Sequence, residues 1–323
     1  MAVNSCHCFL HSQFATLSSP SLASTRRLSS PSRNRITCTA TPPPPSSSME
    51  EGRRKLMEFP YVPAPVRDLM VDLISTVDNR LESQLHPCTL PLDVQYYENT
   101  TGNSQASLQI RRGQDSSPID YILESWIHSK LPTGGDLNIT SLLVNMNSST
   151  DAPNFLTELI QPSPTSVIII LDLPPRKDPV LYPDYLHTFY ESTQLDTYRQ
   201  KLEKLPEVKP YLSPSLYVRS VFSPTVIMFS VETETGDSAR MEEIVRSHLI
   251  PVFKDVLGIW LNQCTCGGRE VGETEKAYLK KRDSLVRIKS IEIDLESSFP
   301  RLFGPELASR VVSEIRKVLS SGS

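Results

Sequence analysis

Hydrophobic residues change their spacing twice along this chain. Over 66–83, Val66, Leu69, Met70, Leu73, Ile74, Val77 and Leu81 recur at intervals of three and four, which predicts a helix with one apolar stripe. Pro65 stands just ahead, where a helix tolerates the missing N–H. The period then falls to two. Residues 106–111 alternate, with Leu108 and Ile110 on one face, and runs at 121–131, 137–146 and 155–161 follow as strands. The run 166–172 is apolar on both faces, so it predicts a strand in the middle of a sheet. The links at 132–135, 147–149 and 162–164 are rich in Pro, Gly, Ser and Asn and too short for parallel crossovers. An antiparallel meander follows. A helical stretch over 184–205 and two further strands, 215–222 and 225–232, complete the middle.

Helical spacing returns over 239–263, where Met241, Ile244, Val245, Leu249, Val252, Phe253, Val256, Leu257 and Trp260 share a broad face. Pro251 is expected to kink this helix or split it in two. A charged helix over 273–289 and a last one over 305–319 close the chain. Strands in the middle, helices at both ends and no internal repeat predict an α+β fold: an α/β/α sandwich with a central antiparallel sheet flanked by helices.

The front of the chain follows neither period. No Asp or Glu precedes Glu50, while the first 48 residues hold Arg26, Arg27, Arg33 and Arg35 with twelve serines and five threonines. A Ser-rich, Arg-bearing, acid-free leader without a secretory apolar core is an organelle import signal. Residues 1–48 are therefore expected to be a plastid transit peptide, ending in an extended, disordered spacer from Pro42 to Ser48. Mitochondrial import fits the same composition. Residues 49–323 remain as a single working domain.

Removing the leader also changes the charge. The whole chain has 33 basic and 37 acidic residues. The leader takes four arginines, leaving 29 against 37, a net −8. Such an acidic domain is a poor general nucleic-acid binder. No apolar window is long enough to cross a membrane. Three of the six cysteines, Cys6, Cys8 and Cys38, lie in the leader. Cys88, Cys264 and Cys266 are too few for an iron–sulfur cluster and lack zinc spacing. No GxGxxG, Walker A, GxSxG or HExxH sequence occurs, so no resident cofactor or metal is expected.

Candidate chemistry lies in a few acids. Alternation in Phe155-Leu-Thr-Glu-Leu-Ile-Gln161 puts Glu158 on one face with Leu156 and Ile160. Buried there, its carboxyl would be held protonated and poised to give a proton; on a solvent face it would be an ordinary surface acid. Asp294 lies among large apolar residues shortly before Pro300, where a helix is expected to end, and reads alone as a surface or capping acid. Asp172 closes an apolar strand as a turn residue or a pocket acid. Trp126, Tyr217, Phe222 and Trp260 fit a core or a cavity wall.

Several blocks resemble the red chlorophyll catabolite reductase family of plants, within the ferredoxin-dependent bilin reductases. They are Lys55-Leu-Met-Glu-Phe-Pro-Tyr-Val62, Ala152-Pro-Asn-Phe155 running on to Gln161, Ile169-Ile-Leu-Asp-Leu-Pro-Pro-Arg-Lys-Asp178, Lys204-Leu-Pro-Glu-Val208, Ser213-Pro-Ser-Leu-Tyr-Val-Arg-Ser220, Phe222-Ser-Pro-Thr225 and Phe299-Pro-Arg-Leu-Phe-Gly304. The resemblance spans about Arg53 to Lys317. It implies reduction of red chlorophyll catabolite, a linear tetrapyrrole, to the primary fluorescent catabolite, with electrons from reduced ferredoxin and no bound flavin or metal. It further implies a homodimer working beside pheophorbide a oxygenase in the chloroplast stroma. Matched position by position, Glu158 and Asp294 are the implied active-site acids, with Glu292 the alternative register for the second. Phe222 matches an aromatic that biases the configuration of the new centre. Docking an acidic ferredoxin on an acidic domain asks for a local basic patch, for which Arg176, Lys177, Lys280, Lys281, Arg282, Arg287, Lys289 and Arg301 are candidates. Two other readings share the residues: a non-catalytic tetrapyrrole carrier that sequesters a phototoxic pigment, and a structural or interaction protein of the plastid.

Overall fold

The computed structural model describes residues 45–132, 134–265 and 271–320. The reading of 1–44 as an import signal, with Cys6, Cys8 and Cys38, lies outside them, as does Cys266. Helix α1 (Pro45–Glu58) begins inside the segment expected to be an extended spacer. Residues 45–48 form its first turn, and a proline at the first helical position costs no hydrogen bond. Helix α2 (Ala64–Leu81) follows with Pro65 in its first turn, and all seven stripe residues are buried; the one-turn helix α3 (Leu92–Gln95) leads into the sheet.

The sheet has eight strands: β1 (Tyr96–Glu98), β2 (Ser104–Arg112), β3 (Ile119–Lys130), β4 (Asp136–Met146), β5 (Phe155–Ser163), β6 (Ser166–Asp172), β7 (Val208–Pro210) and β8 (Ile227–Glu232). Their spatial order is β1-β2-β3-β4-β5-β6-β8-β7, and every neighbouring pair is antiparallel. Strands β2 to β6 form the expected meander, and β1 adds to its edge. β6 is interior, as its two apolar faces require. The short β1 and β7 carry no alternation long enough to read from sequence.

Helices cover both faces. One face, with Ile122, Trp126, Leu142, Val144, Phe155, Leu159, Ile169, Leu171, Phe229 and Val231, packs against α1, α2 and the helices of 183–202 and 238–264. The other, with Leu108, Leu123, Ile139, Leu143, Leu156, Ile160, Ile168, Ile170 and Met228, packs against the C-terminal helices. Odd and even positions divide between these layers in each long strand, as a pleated sheet covered on both sides demands.

The intervening helices differ from expectation in two places. The run 215–222 is not a strand but contains helix α6 (Leu216–Val221). Ser215 caps it, its Oγ accepting from the Val218 N–H at 3.3 Å, and Val218 and Val221 bury at a spacing of three. Capping and burial override the β-propensity of Tyr217 and Val218. The stretch 184–205 is broken into α4 (Pro183–Leu186), a π turn (His187–Glu191) and α5 (Asp196–Leu202), with Gln194 at a positive φ of 55° between them.

Pro251 divides its stretch into two α-helices, as expected, whereas Pro300 lies inside a helix and does not end it. Before Pro251, α7 (Ser238–Ile244) passes through a π turn (Val245–Leu249) into α8 (Ile250–Cys264). Before Pro300, α9 (Glu273–Ser290) passes through a second π turn (Ile291–Leu295) into α10 (Glu296–Phe303). At Pro251 the π turn widens the ladder by one residue just ahead of the proline whose N–H is missing, so the chain stays helical. α10 ends instead at Gly304, whose φ of 77° suits glycine. α11 (Pro305–Ser320) completes the second layer.

Candidate active site

Glu158 occupies the middle of β5, opposite Ser141 on β4 and Ile170 on β6. Its side chain leaves the sheet between Leu156 and Ile160, into the layer beneath α10 and α11. It is 1 % exposed, so the solvent-face alternative does not hold. Its Oε1 has no hydrogen-bond partner among the described residues. Burial is the main force pushing its carboxyl well above the ordinary range, and the negative charge of Asp294 pushes it further.

Asp294 comes to the same layer from the helical side. The π turn buries Ile291, Asp294 and Leu295 together. Asp294 is fully buried, not a surface or capping acid. Neither carboxylate oxygen has a partner among the described residues, and burial raises its carboxyl well above the usual range. Glu292, the alternative register, faces outward and pairs with Lys289 at 2.6 Å. Glu158 and Asp294 are thus 136 positions apart in sequence but share one apolar layer. Two carboxyls so placed resist ionising together, and a protonated acid in an apolar wall can donate to a group brought against it.

Phe222 follows α6 as its C-cap and packs, half-buried, against this same layer. Asp172 ends β6 on the Glu158 face, opposite Leu156, and is buried. Its Oδ2 accepts from the Ser223 N–H at 2.9 Å and its Oδ1 from the Ser223 hydroxyl. Burial pushes its carboxyl up to about 7 against the pull of those bonds. Trp126 and Trp260 belong to the opposite layer, where their indole N–H groups donate to Leu56 O at 3.0 Å and Pro153 O at 2.9 Å. They are core and not cavity wall. Tyr217 is half-buried on α6, its hydroxyl 3.5 Å from Leu285 O. Tyr97, Phe299 and Phe303 are among the aromatics that share the Glu158 layer, with ring centroids 5.0 Å apart for Tyr97–Phe303 and 5.5 Å for Phe299–Phe303. Only the i,i+4 spacing of the two phenylalanines hinted at this.

The basic candidates divide. Arg176 is fully buried, bonds Asp283 at 2.5 Å and donates to Thr150 O at 2.7 Å. Lys177 pairs with Asp151 at 3.4 Å and with Glu275. Arg287 pairs with Asp120 and donates to Leu319 O at 2.5 Å. These three hold elements together and are corrected out of a docking patch. Lys280, Lys281 and Arg301 are exposed, Arg282 is half-buried 3.6 Å from Asp283, and Lys289 is held by Glu292. Among the described residues, no group of three or more His, Cys, Asp or Glu is placed to hold a metal, and no helix is long and apolar enough to cross a membrane.

The family model for red chlorophyll catabolite reductase (RCC reductase) matches residues 65–317. Over 291 residues the chain is 53% identical to the chloroplastic red chlorophyll catabolite reductase of Arabidopsis thaliana, covering 88% of this chain and 91% of that one. It is 46% identical over 253 residues to the chloroplastic red chlorophyll catabolite reductase 1 of Oryza sativa subsp. japonica, covering 78% and 77%. Among solved structures, tomato phytochromobilin synthase in complex with biliverdin superposes with a TM-score of 0.59 at 18% identity, covering 76% of this chain and 84% of that one. This likeness concerns the fold. The chain belongs to the red chlorophyll catabolite reductase family.

Proposed function

We propose that the chain, as a member of the red chlorophyll catabolite reductase family, reduces red chlorophyll catabolite to the primary fluorescent catabolite. The observation that carries this reading is the pair of buried carboxyls Glu158 and Asp294, with Glu158 Oε1 and both Asp294 oxygens unpartnered among the described residues, on one face of a bilin-reductase-like sheet. The reaction saturates one methine-bridge double bond, which takes two electrons and two protons. The electrons arrive singly from two molecules of reduced ferredoxin: the first leaves a radical anion that a nearby acid protonates, and the second turns the resulting neutral radical into an anion that takes the second proton. Glu158 is the better donor, because desolvation and Asp294 both hold its proton. Asp294 supplies the second proton or accepts a pyrrole N–H. No resident flavin or metal is needed in this scheme.

Reduced ferredoxin docks, in this reading, on the exposed Lys280, Lys281 and Arg301, with Arg282 and Lys289 at the rim. The enzyme works as a homodimer in the chloroplast stroma beside pheophorbide a oxygenase, whose product it takes. Names of the Arabidopsis and rice relatives as chloroplastic support that compartment. The test is an anaerobic assay of residues 45–323 with ferredoxin, its reductase system and red chlorophyll catabolite, read by product fluorescence. Pigment binding without fluorescent product would favour a carrier.

A further inference from the structure

We infer that Asp172 is a positioning residue that latches the Phe222–Thr225 segment and thereby sets which face of the bound tetrapyrrole is protonated. The inference rests on the proposed function, and in particular on Phe222 touching the pigment. Asp172 is the last residue of β6, on the face that carries Glu158: Leu156 stands opposite it, and Glu158 stands opposite Ile170, two residues back along β6. Both its oxygens accept from one residue, Ser223, through the main-chain N–H and the hydroxyl. The Ser223 hydroxyl oxygen in turn accepts from the Thr225 N–H at 3.1 Å and lies 3.1 Å from Thr225 Oγ1.

The segment between α6 and β8 is thereby tied to a side chain of the neighbouring strand. Ser223 directly follows Phe222, so the latch fixes the residue whose ring lies on the Glu158 layer. A β turn or a backbone ladder would hold the segment without orienting it against β6. A carboxylate accepting two bonds from one residue orients as well as holds, because both bonds must align at once. A proton from the carboxyl pair can reach only the pigment face that Phe222 leaves open.

The experiment compares Asp172→Asn, Ser223→Ala, their double variant and Phe222→Val, using the same protein and anaerobic assay. Product epimers are resolved by chromatography, and kcat and KM are measured separately. Asp172→Asn and Ser223→Ala are each expected to raise the minor epimer about tenfold, the size set by one lost hydrogen bond. Epimer ratio and KM should move more than kcat. The double variant should match the worse single one, because both substitutions break the same latch. Asp172→Glu, which keeps the carboxylate, should restore part of the ratio. Circular dichroism of the bound bilin needs no turnover and should change in the same order. An epimer ratio and dichroism unchanged in both single variants, with Phe222→Val altering them, would overturn the latch. If Phe222→Val also changes neither, the role of Phe222 falls and the latch with it. Absence of any product from the unaltered chain would instead defeat the reductase reading, and the dichroism arm would still decide the latch.

Discussion

Replacing Glu158 by Gln separates acid chemistry from shape. Its carboxyl is buried and held protonated by desolvation and by Asp294, so at neutral pH Gln replaces a neutral group of the same size. The strand pairing through Ser141 and Ile170 stays in place. Stability is therefore expected to change by no more than about 1 kcal/mol, the net value of an ordinary hydrogen bond. The lost function is the ionisable proton. Removing a positioned general acid slows a reaction by roughly 10²–10⁴-fold, or about 3–5 kcal/mol of barrier. Binding of red chlorophyll catabolite should stay within about fivefold, since the amide still offers a polar contact of similar reach. A raised carboxyl donates only while protonated, so activity of the unaltered chain falls as pH rises through the upper ionisation of the pair. The variant should lose that alkaline limb. Single-turnover reduction with pre-reduced ferredoxin, followed from pH 5 to 9, measures both. A rate within about threefold of the unaltered chain, or an unchanged alkaline limb, would refute the donor role.

Asp172 carries a stability signature of its own. Its carboxyl is raised from 3.8 to about 7 on folding, so between those pH values the native state holds a proton that the unfolded chain has released. Its contribution is full below pH 3.8 and is lost as pH rises to about 7, by up to about 4 kcal/mol. Asp172→Asn should flatten that part of the denaturation-versus-pH curve by a comparable amount. Glu124 is fully buried between Arg53 and Arg111. Arg111→Ala leaves its charge half-answered, and chemical denaturation should show a loss of about 3–5 kcal/mol. Arg176→Ala should cost a similar amount, because it unpairs the half-buried Asp283 and the Thr150 carbonyl. By contrast, Lys280→Glu with Lys281→Glu should leave the melting point unchanged yet weaken turnover under limiting ferredoxin and reduce its sensitivity to salt.

Long periodic segments were legible in the sequence because their burial is one-sided or complete. The stripe of α2, the meander and the interior β6 all follow from spacing alone. What escaped was set by single interactions. The Ser215 cap turned 215–222 from strand to helix, and the helix after the π turn at 291–295 runs on through Pro300. The site divided the same way. Strand alternation placed Glu158 between Leu156 and Ile160, although not which face was covered. Asp294 could not be read as buried, because a π turn shifts the helical phase by one residue and no spacing rule carries that shift. The basic candidates failed where an arginine meets an acid far away in sequence, as Arg176 meets Asp283.

The two acids hang on parts of the molecule that come apart at different rates. Glu158 is anchored in an interior strand bonded on both sides. Asp294 rides the junction of two helices at the edge of the second layer. Deuterium uptake is therefore expected to reach 291–303 well before 155–161, since helices packed on one side open at lower free energy than the centre of a sheet. A flat pigment then needs only the helical wall to give way. Asp294 would close over it each cycle, while Glu158 waits unmoved beneath.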